Sequence, residues 1–187
     1  MFMSLGKKEE QLYEPILDTL REIFRQYVEK EIKAKEEAMR EPMDFLMRSV
    51  YLEITAKGHF SEMLKEQLDD RALSIIRVEK FSPDIMGYVQ KSSSSRKELI
   101  TVEVKAKPIT IKNISRAKLY QDIFKATYGL LISTKRISEE IRRFILDRLS
   151  IKGNLIIAQF DEERRILRIH PAFEYHVPEL FKKCVKK

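Results

Sequence analysis

The chain has 187 residues, is 43% hydrophobic and 35% charged, and holds a single cysteine and no tryptophan. That length carries one good-sized core with at most a small appended segment, and one thiol, Cys184, excludes an internal disulfide and a cysteine-based metal cluster. The net charge of +7 is uneven: residues 1–60 carry ten basic and twelve acidic side chains (−2), and residues 61–187 carry twenty-six and seventeen (+9).

Residues 7–39 read as one long helix, because Leu12, Ile16, Leu20, Phe24 and Val28 recur every fourth residue. Pro15 places its regular start near residue 14, with the ring in the first turn. Glu41-Pro42 breaks the pattern, and Met43 to Ala56 reads as a second helix that Gly58 ends. Residues 1–58 are therefore expected to form an N-terminal helical extension. It would pack as a hairpin on the remaining core or pair with a second copy in a homodimer. Ser61 is a cap for a short helix reaching Leu68, and Ala72 to Val78 reads as the first core strand. Ile85–Val89 and Leu99–Val104 are rich in strand formers and flank the polar stretch Gln90–Lys97, which predicts a β-hairpin. Residues 113–127 read as a helix with Ile114, Ala117, Tyr120 and Phe124 inward. A buried strand, Tyr128–Ser133, follows. Ser138 then caps a helix ending at Arg148, and Leu155–Phe160 and Ile166–Ile169 form a final strand pair. From Lys182 onward the tail is expected to fray. This order predicts an α/β (α+β) fold, a mixed central sheet flanked by helices. His59, His170 and His176 have no ligand partner at a useful spacing and are read as structural.

The predicted hairpin gathers the chemistry. Side chains alternate along a strand, so Glu103 and Lys105 share one face while Val102 and Val104 take the other. Asp84, at the start of the partner strand, sits at the mouth of the same face. Two carboxylates converging at one end of a hairpin suit Mg²⁺ or Mn²⁺, hard cations that bind through one or two carboxylates and keep several waters. Asp84 and Glu103 are the expected metal ligands, with the backbone carbonyl of Val104 as a third. Lys105 is placed to hold an attacking water and stabilise charge on a phosphodiester. Beyond it Lys107, Lys112, Arg116 and Lys118 run without an acidic residue until Asp122, and Lys125 continues the stripe of Lys118 and Gln121. A cationic run beside a metal site binds phosphates.

These residues resemble a known signature. Pro83-Asp84, a gap of eighteen residues and then Glu103-Val104-Lys105 is similar to the motif of the PD-(D/E)XK nuclease superfamily, which includes restriction endonucleases, archaeal Holliday-junction resolvases and RecB-type nucleases. The resemblance implies a restriction-endonuclease-like core running helix, strand, strand, strand, helix, strand, which residues 59–133 can follow. It places a nuclease-like domain in residues 59–187. It also implies Mg²⁺- or Mn²⁺-dependent hydrolysis of DNA, with RNA still open. Family members often carry an acidic residue on the helix before the first strand; Glu62 is the candidate, with Glu66 and Glu53 as rivals. Many carry a Gln or Lys on the helix after the motif that contacts the water or a phosphate; Gln121 matches best, and Lys118 second.

Other classes are weighed against this one. Neither GxGxxG nor GxxxxGK[ST] occurs, so no phosphate-binding loop supports a nucleotide hydrolase, and no GxSxG elbow supports a serine hydrolase. No apolar run approaches the ~20 residues of a membrane span, and Met1 to Gly6 is too short for a signal-peptide core. A cytoplasmic protein with no membrane partner is expected, and the Lys-, Arg-, Glu- and Ile-rich composition is one met in archaeal and other thermophiles. The rival readings are a nucleic-acid-binding or assembly module that does not cut, and an α/β protein whose Glu103 and Lys105 are an exposed ladder.

Overall fold

The computed structural model describes residues 5–36, 49–79, 81–90, 96–148, 155–170 and 177–185. Helix α1 (Leu5–Glu36) is followed by strand β1 (Val50–Ile54), a four-residue helix α2 (Glu62–Lys65) and helix α3 (Asp70–Glu79). Then come β2 (Ile85–Gln90), β3 (Lys97–Lys105), α4 (Ile111–Ile123), β4 (Tyr128–Ser133), α5 (Glu139–Arg148), β5 (Leu155–Asp161), β6 (Ile166–Ile169) and a tight helical turn at Glu179–Cys184.

The six strands form one mixed sheet in the order β1-β2-β3-β4-β5-β6. The first three are antiparallel neighbours, β3, β4 and β5 are parallel, and β6 returns antiparallel to β5. The mixed sheet flanked by helices follows the sequence expectation. Its fully buried strand β4 is the continuous apolar run that a parallel central strand needs.

The long helix packs its stripe of Leu12, Ile16, Leu20, Phe24 and Val28 into one cluster with Val50, Leu52, Ile85, Val89, Ile100, Val102 and Val104. Met86, Tyr88, Tyr120, Phe124, Leu64 and Ala72 form a second cluster that joins the sheet to α2, α3 and α4. A helix thus covers each face, and the alternation along β3 decides which residues meet which helix. Val102 and Val104 belong to the α1 cluster. Glu103, between them, points toward α4. β1 approaches β2 so closely that a Cβ on Gly87 would lie 2.0 Å from the Tyr51 carbonyl oxygen.

Three expectations are corrected. The stretch 43–56 is not a helix over Val50–Ile54, which is the edge strand β1 paired with Ile85–Val89; residues 41–48 lie outside the described residues. Val50, Leu52 and Ile54 are apolar at period two, and pairing with β2 outweighs the helical spacing of Val50 and Ile54. Ala72–Val78 is not the first strand but the body of α3. Asp69 caps that helix by accepting the Ala72 N–H at 2.9 Å, which the β-branched pair Ile75-Ile76 concealed. Helix α1 starts at Leu5 and runs through Pro15. An internal Pro costs about 3 kcal/mol, which the turns before it offset by burying Leu12 and Tyr13.

The tail also departs from a frayed end as far as Val185. Leu180 and Phe181 are buried, Phe181 meets Phe24 edge-on with centroids 5.6 Å apart, and Val185 bridges to Ile169. The division expected at residue 58 runs between β1 and α2, and β1 pairs across it with β2. The predicted turn at 91–95 and His176 lie outside the described residues.

Candidate active site

The site forms where β2 begins and β3 ends. Asp84 is fixed by its backbone first. Its N–H donates to the Val102 carbonyl and its carbonyl accepts the Thr55 N–H, both at 2.9 Å, while the Thr55 hydroxyl donates to the Pro83 carbonyl at 2.7 Å. The end of β1 thus clamps Pro83-Asp84 against β3. The carboxylate is then held from both sides: Oδ2 accepts the Val104 N–H at 2.7 Å and Oδ1 accepts the Tyr13 hydroxyl at 3.0 Å.

Glu103 sits deeper, with 1% of its surface exposed. Lys105 Nζ lies 3.0 Å from its Oε1 and Arg116 Nε 3.5 Å. Both cations are drawn to Oε1, and among the described residues the buried Oε2 has no hydrogen-bond partner. A buried carboxylate in this condition is unusual, since buried polar atoms nearly always find partners. Arg116 is itself seated on Tyr120, to whose hydroxyl its Nε and Nη2 donate at 3.0 and 2.7 Å. Phe81 packs against the same ring at 4.3 Å.

Lys105 completes the group from the end of β3. It pairs with Glu103 and, at 3.3 Å, with Glu9 of α1, whose other carboxylate oxygen accepts the Ala106 N–H at 3.4 Å. The electrostatics follow from burial and crowding. Burial pushes the Glu103 carboxyl up, and the neighbouring Asp84 charge pushes it further, against the pull of Lys105 and Arg116. Burial also raises the Asp84 carboxyl, opposed by the Val104 N–H and Lys105. For Lys105 burial works against the charged form, but Glu103, Asp84 and Glu9 together lift the ammonium above its ordinary value. Tyr13 is held far above the usual phenol range by burial and by Asp84, so it remains a hydroxyl donor.

The structure brings Asp84, Glu103 and Lys105 together, and Arg116 of the cationic run lies against Glu103. It places the other candidates elsewhere. Glu62 is exposed at the start of α2 and pairs with Lys65 at 2.7 Å. Glu53 takes the Tyr51 hydroxyl and the Ser61 N–H, and so pins the loop before α2. Gln121 is buried against Gly129, where a Cβ would meet its side chain at 3.1 Å, and its carbonyl oxygen takes the Lys118 ammonium. No hydrogen bond or ion pair joins Glu62 or Gln121 to Asp84, Glu103 or Lys105 among the described residues. Along the cationic run, Lys118 is paired with Asp122 and Lys125 with Asp69, both at 2.7 Å, whereas Lys107 and Lys112 are exposed. The sequence reading missed Glu9 and Tyr13, which lie seventy-odd residues from the motif on a helix read as an appendage. It took Tyr120 as core without seeing that its hydroxyl would hold Arg116.

Among the described residues no three His, Cys, Asp or Glu side chains form a ready-made metal cage. The donor set nevertheless fits a hard divalent ion of the Mg²⁺ type. It offers the carboxylates of Asp84 and Glu103, and the buried Oε2 of Glu103 has no hydrogen-bond partner among the described residues. No described helix is long and apolar enough to cross a membrane. Scans against protein-family models, curated proteins and solved structures return no match to this chain.

Proposed function

We propose that this chain is a metal-dependent nuclease of the PD-(D/E)XK type that hydrolyses phosphodiester bonds in DNA. The observation that carries the reading is Glu103, a buried carboxylate with one oxygen unpartnered, its charge crowded by Asp84 and flanked by Lys105 and Arg116. A fold gains nothing in stability from such a group, and functional sites are where this kind of cost is tolerated. Residues 59–133 do not run helix, strand, strand, strand, helix, strand as expected, since Asp70–Glu79 is a helix, but α1, β1, β2, β3, α4 and β4 do, with α2 and α3 as an insertion.

Asp84 and Glu103, with the Val104 carbonyl, would hold Mg²⁺ or Mn²⁺. When bound, such an ion lowers the pKa of a coordinated water and offsets charge on the phosphate. The chain's own residues do the rest. The Val104 N–H and Tyr13 hydroxyl fix the orientation of the Asp84 carboxylate. Lys105, ringed by carboxylates, keeps its proton and acts as a donor to the attacking water or to a phosphate oxygen, not as a base. Arg116, half exposed and seated on Tyr120, presents a guanidinium fork to a phosphate. Lys107 and Lys112 extend the cationic track.

The test is cleavage of labelled duplex, single-stranded and four-way-junction DNA in Mg²⁺, Mn²⁺ or EDTA, beside Asp84→Asn and Lys105→Ala. Metal-dependent cutting that both variants lose is the expected result, and the preferred substrate names the subclass. DNA binding without cutting, unchanged by either variant, would replace this reading with that of a non-catalytic binding module. Light scattering of the full chain would decide whether two copies act together, as a resolvase or a palindromic cutter requires.

A further inference from the structure

The parallel strands β3, β4 and β5 end side by side next to the site, and a groove of about 400 Å³ opens there against α1. Its wall includes Ala106 just beyond β3, Thr134 and Lys135 beyond β4, Glu162 and Arg165 beyond β5, and Lys8 from α1. Crevices outside the carboxyl ends of parallel strands are where open α/β sheets bind ligands.

Three features give this groove a chemistry. It is cationic: Lys8, Lys135 and Arg165 face one acid, Glu162, for a net of +2. None of the three cations is paired with a carboxylate among the described residues, although most basic side chains near the site are so paired. The groove is also wired to the site. The Thr134 N–H donates to the Lys105 carbonyl at 3.2 Å, and the Ala106 N–H donates to Glu9, whose other oxygen holds Lys105. Lys8 is the immediate neighbour of Glu9. Finally, the shape is set by a constrained turn. Arg165 lies at φ 52, the left-handed region that non-glycine residues rarely adopt, and its carbonyl accepts the Thr19 hydroxyl of α1 at 3.2 Å.

We infer that this groove is a second phosphate-binding subsite, which seats a nucleotide of the same strand whose scissile phosphate lies at Asp84, Glu103 and Lys105. The volume suits a nucleotide unit, not a bare anion. The subsite lies on the α1 side of Lys105, while Arg116 and α4 lie on the other, so the strand passes over Lys105 from one cationic wall to the other. The inference rests on the nucleolytic reading above.

The test uses the full chain, Lys8→Ala/Lys135→Ala, and Arg143→Ala as a control cation that pairs with Glu139. Arg165 is left in place because of its backbone conformation. Binding of a nucleoside 5′-monophosphate, read by equilibrium dialysis without divalent metal, is expected to weaken about tenfold in the double variant and to stay unchanged in the control. Oligonucleotide KM should rise about tenfold with a smaller change in kcat. The slope of log affinity against log salt should flatten by roughly 1.5, from about 0.7–0.9 per lost cation. Equal monophosphate affinity and equal KM in wild type and double variant would overturn the subsite while leaving the nuclease standing. A wild-type chain that binds the monophosphate through Lys8 and Lys135 but cuts no nucleic acid would overturn the nuclease reading, and with it the assignment of this groove to a flanking nucleotide.

Discussion

Replacing Glu103 by Gln should make the protein more stable while abolishing its proposed activity. Both carboxylate oxygens are buried, Oε2 has no hydrogen-bond partner among the described residues, and Asp84 adds like charge. Leaving a buried polar group unsatisfied costs about 1–3 kcal/mol. The ion pairs with Lys105 and Arg116 return part of that, but burial and Asp84 outweigh them and hold the carboxyl up, so removing the charge should yield about 1–2 kcal/mol at pH 8 without divalent metal. For a chain of this length that is a Tm increase of roughly 2–8 °C. The pH dependence gives the sharper check. Glu103 titrates at a raised pH in the folded state, so folding favours its neutral form. The wild-type chain therefore suffers no penalty below the carboxylate range of the unfolded state. The penalty grows as pH rises through the higher folded value. Gln cannot titrate, so its advantage should be largest near pH 8 and shrink toward pH 4. Differential scanning calorimetry of both proteins in EDTA across that range measures it. A Gln variant that is less stable, or a gap that does not change with pH, would refute the view of Glu103 as a strained functional carboxylate.

Adding Mg²⁺ or Mn²⁺ at a hundred times its Kd should stabilise the wild-type protein by about 2.7 kcal/mol. The same addition should leave Glu103→Gln nearly unmoved, and a thermal-shift titration that shifts both equally would place the ion elsewhere. Tyr13→Phe removes the donor to Asp84 Oδ1 at 3.0 Å; stability should fall by about 1 kcal/mol. Because the hydroxyl favours the charged Asp84, the acid limb of the cleavage pH profile should move upward, which a purely structural loss would not cause. Gly87→Ala places a methyl 2.0 Å from the Tyr51 carbonyl, so urea denaturation should show a loss at or above the 1–3 kcal/mol typical of overpacking. Wild-type stability there would mean that β1 and β2 pack more loosely.

The hairpin, the buried strand β4, α5 and the final strand pair were legible because each is a local pattern. Alternation, an apolar run or a capping Ser identifies them without reference to distant residues. The site's spine, Asp84, Glu103 and Lys105, was legible for the same reason: period two along β3 puts two of them on one face. What failed was non-local. Val50–Ile54 satisfies both helical and strand periodicity, and only the partner strand decides. Asp69 was not read as a cap, and the β-branched pair Ile75-Ile76 favoured a strand, whereas the exposure of Ser74 between buried Ala72 and half-buried Ile76 breaks strand alternation. Glu9 sits in the charged run Lys7-Lys8-Glu9-Glu10, which carries no sign that one of its members pairs with Lys105. Tyr13 has the spacing of a core residue, and its hydroxyl gains meaning only once α1 is laid over the sheet.

Pro15 divides α1 into two parts with different duties. The stretch after it, from Ile16 to Val28, is anchored by fully buried Ile16, Leu20, Phe24 and Val28. The stretch before it carries Glu9 and Tyr13 to the site and is anchored chiefly by Leu12 and Tyr13. Proline donates no helical hydrogen bond, so cooperativity along the helix is weakest at that junction. The front segment should therefore open more readily than the stretch from Ile16 to Val28, and amide protons of residues 8–14 should exchange faster than those of residues 16–28. Every such opening takes Glu9 from Lys105 and Tyr13 from Asp84. The assembled site is the closed population of one helical segment, and whatever occupies that site should slow exchange in the segment.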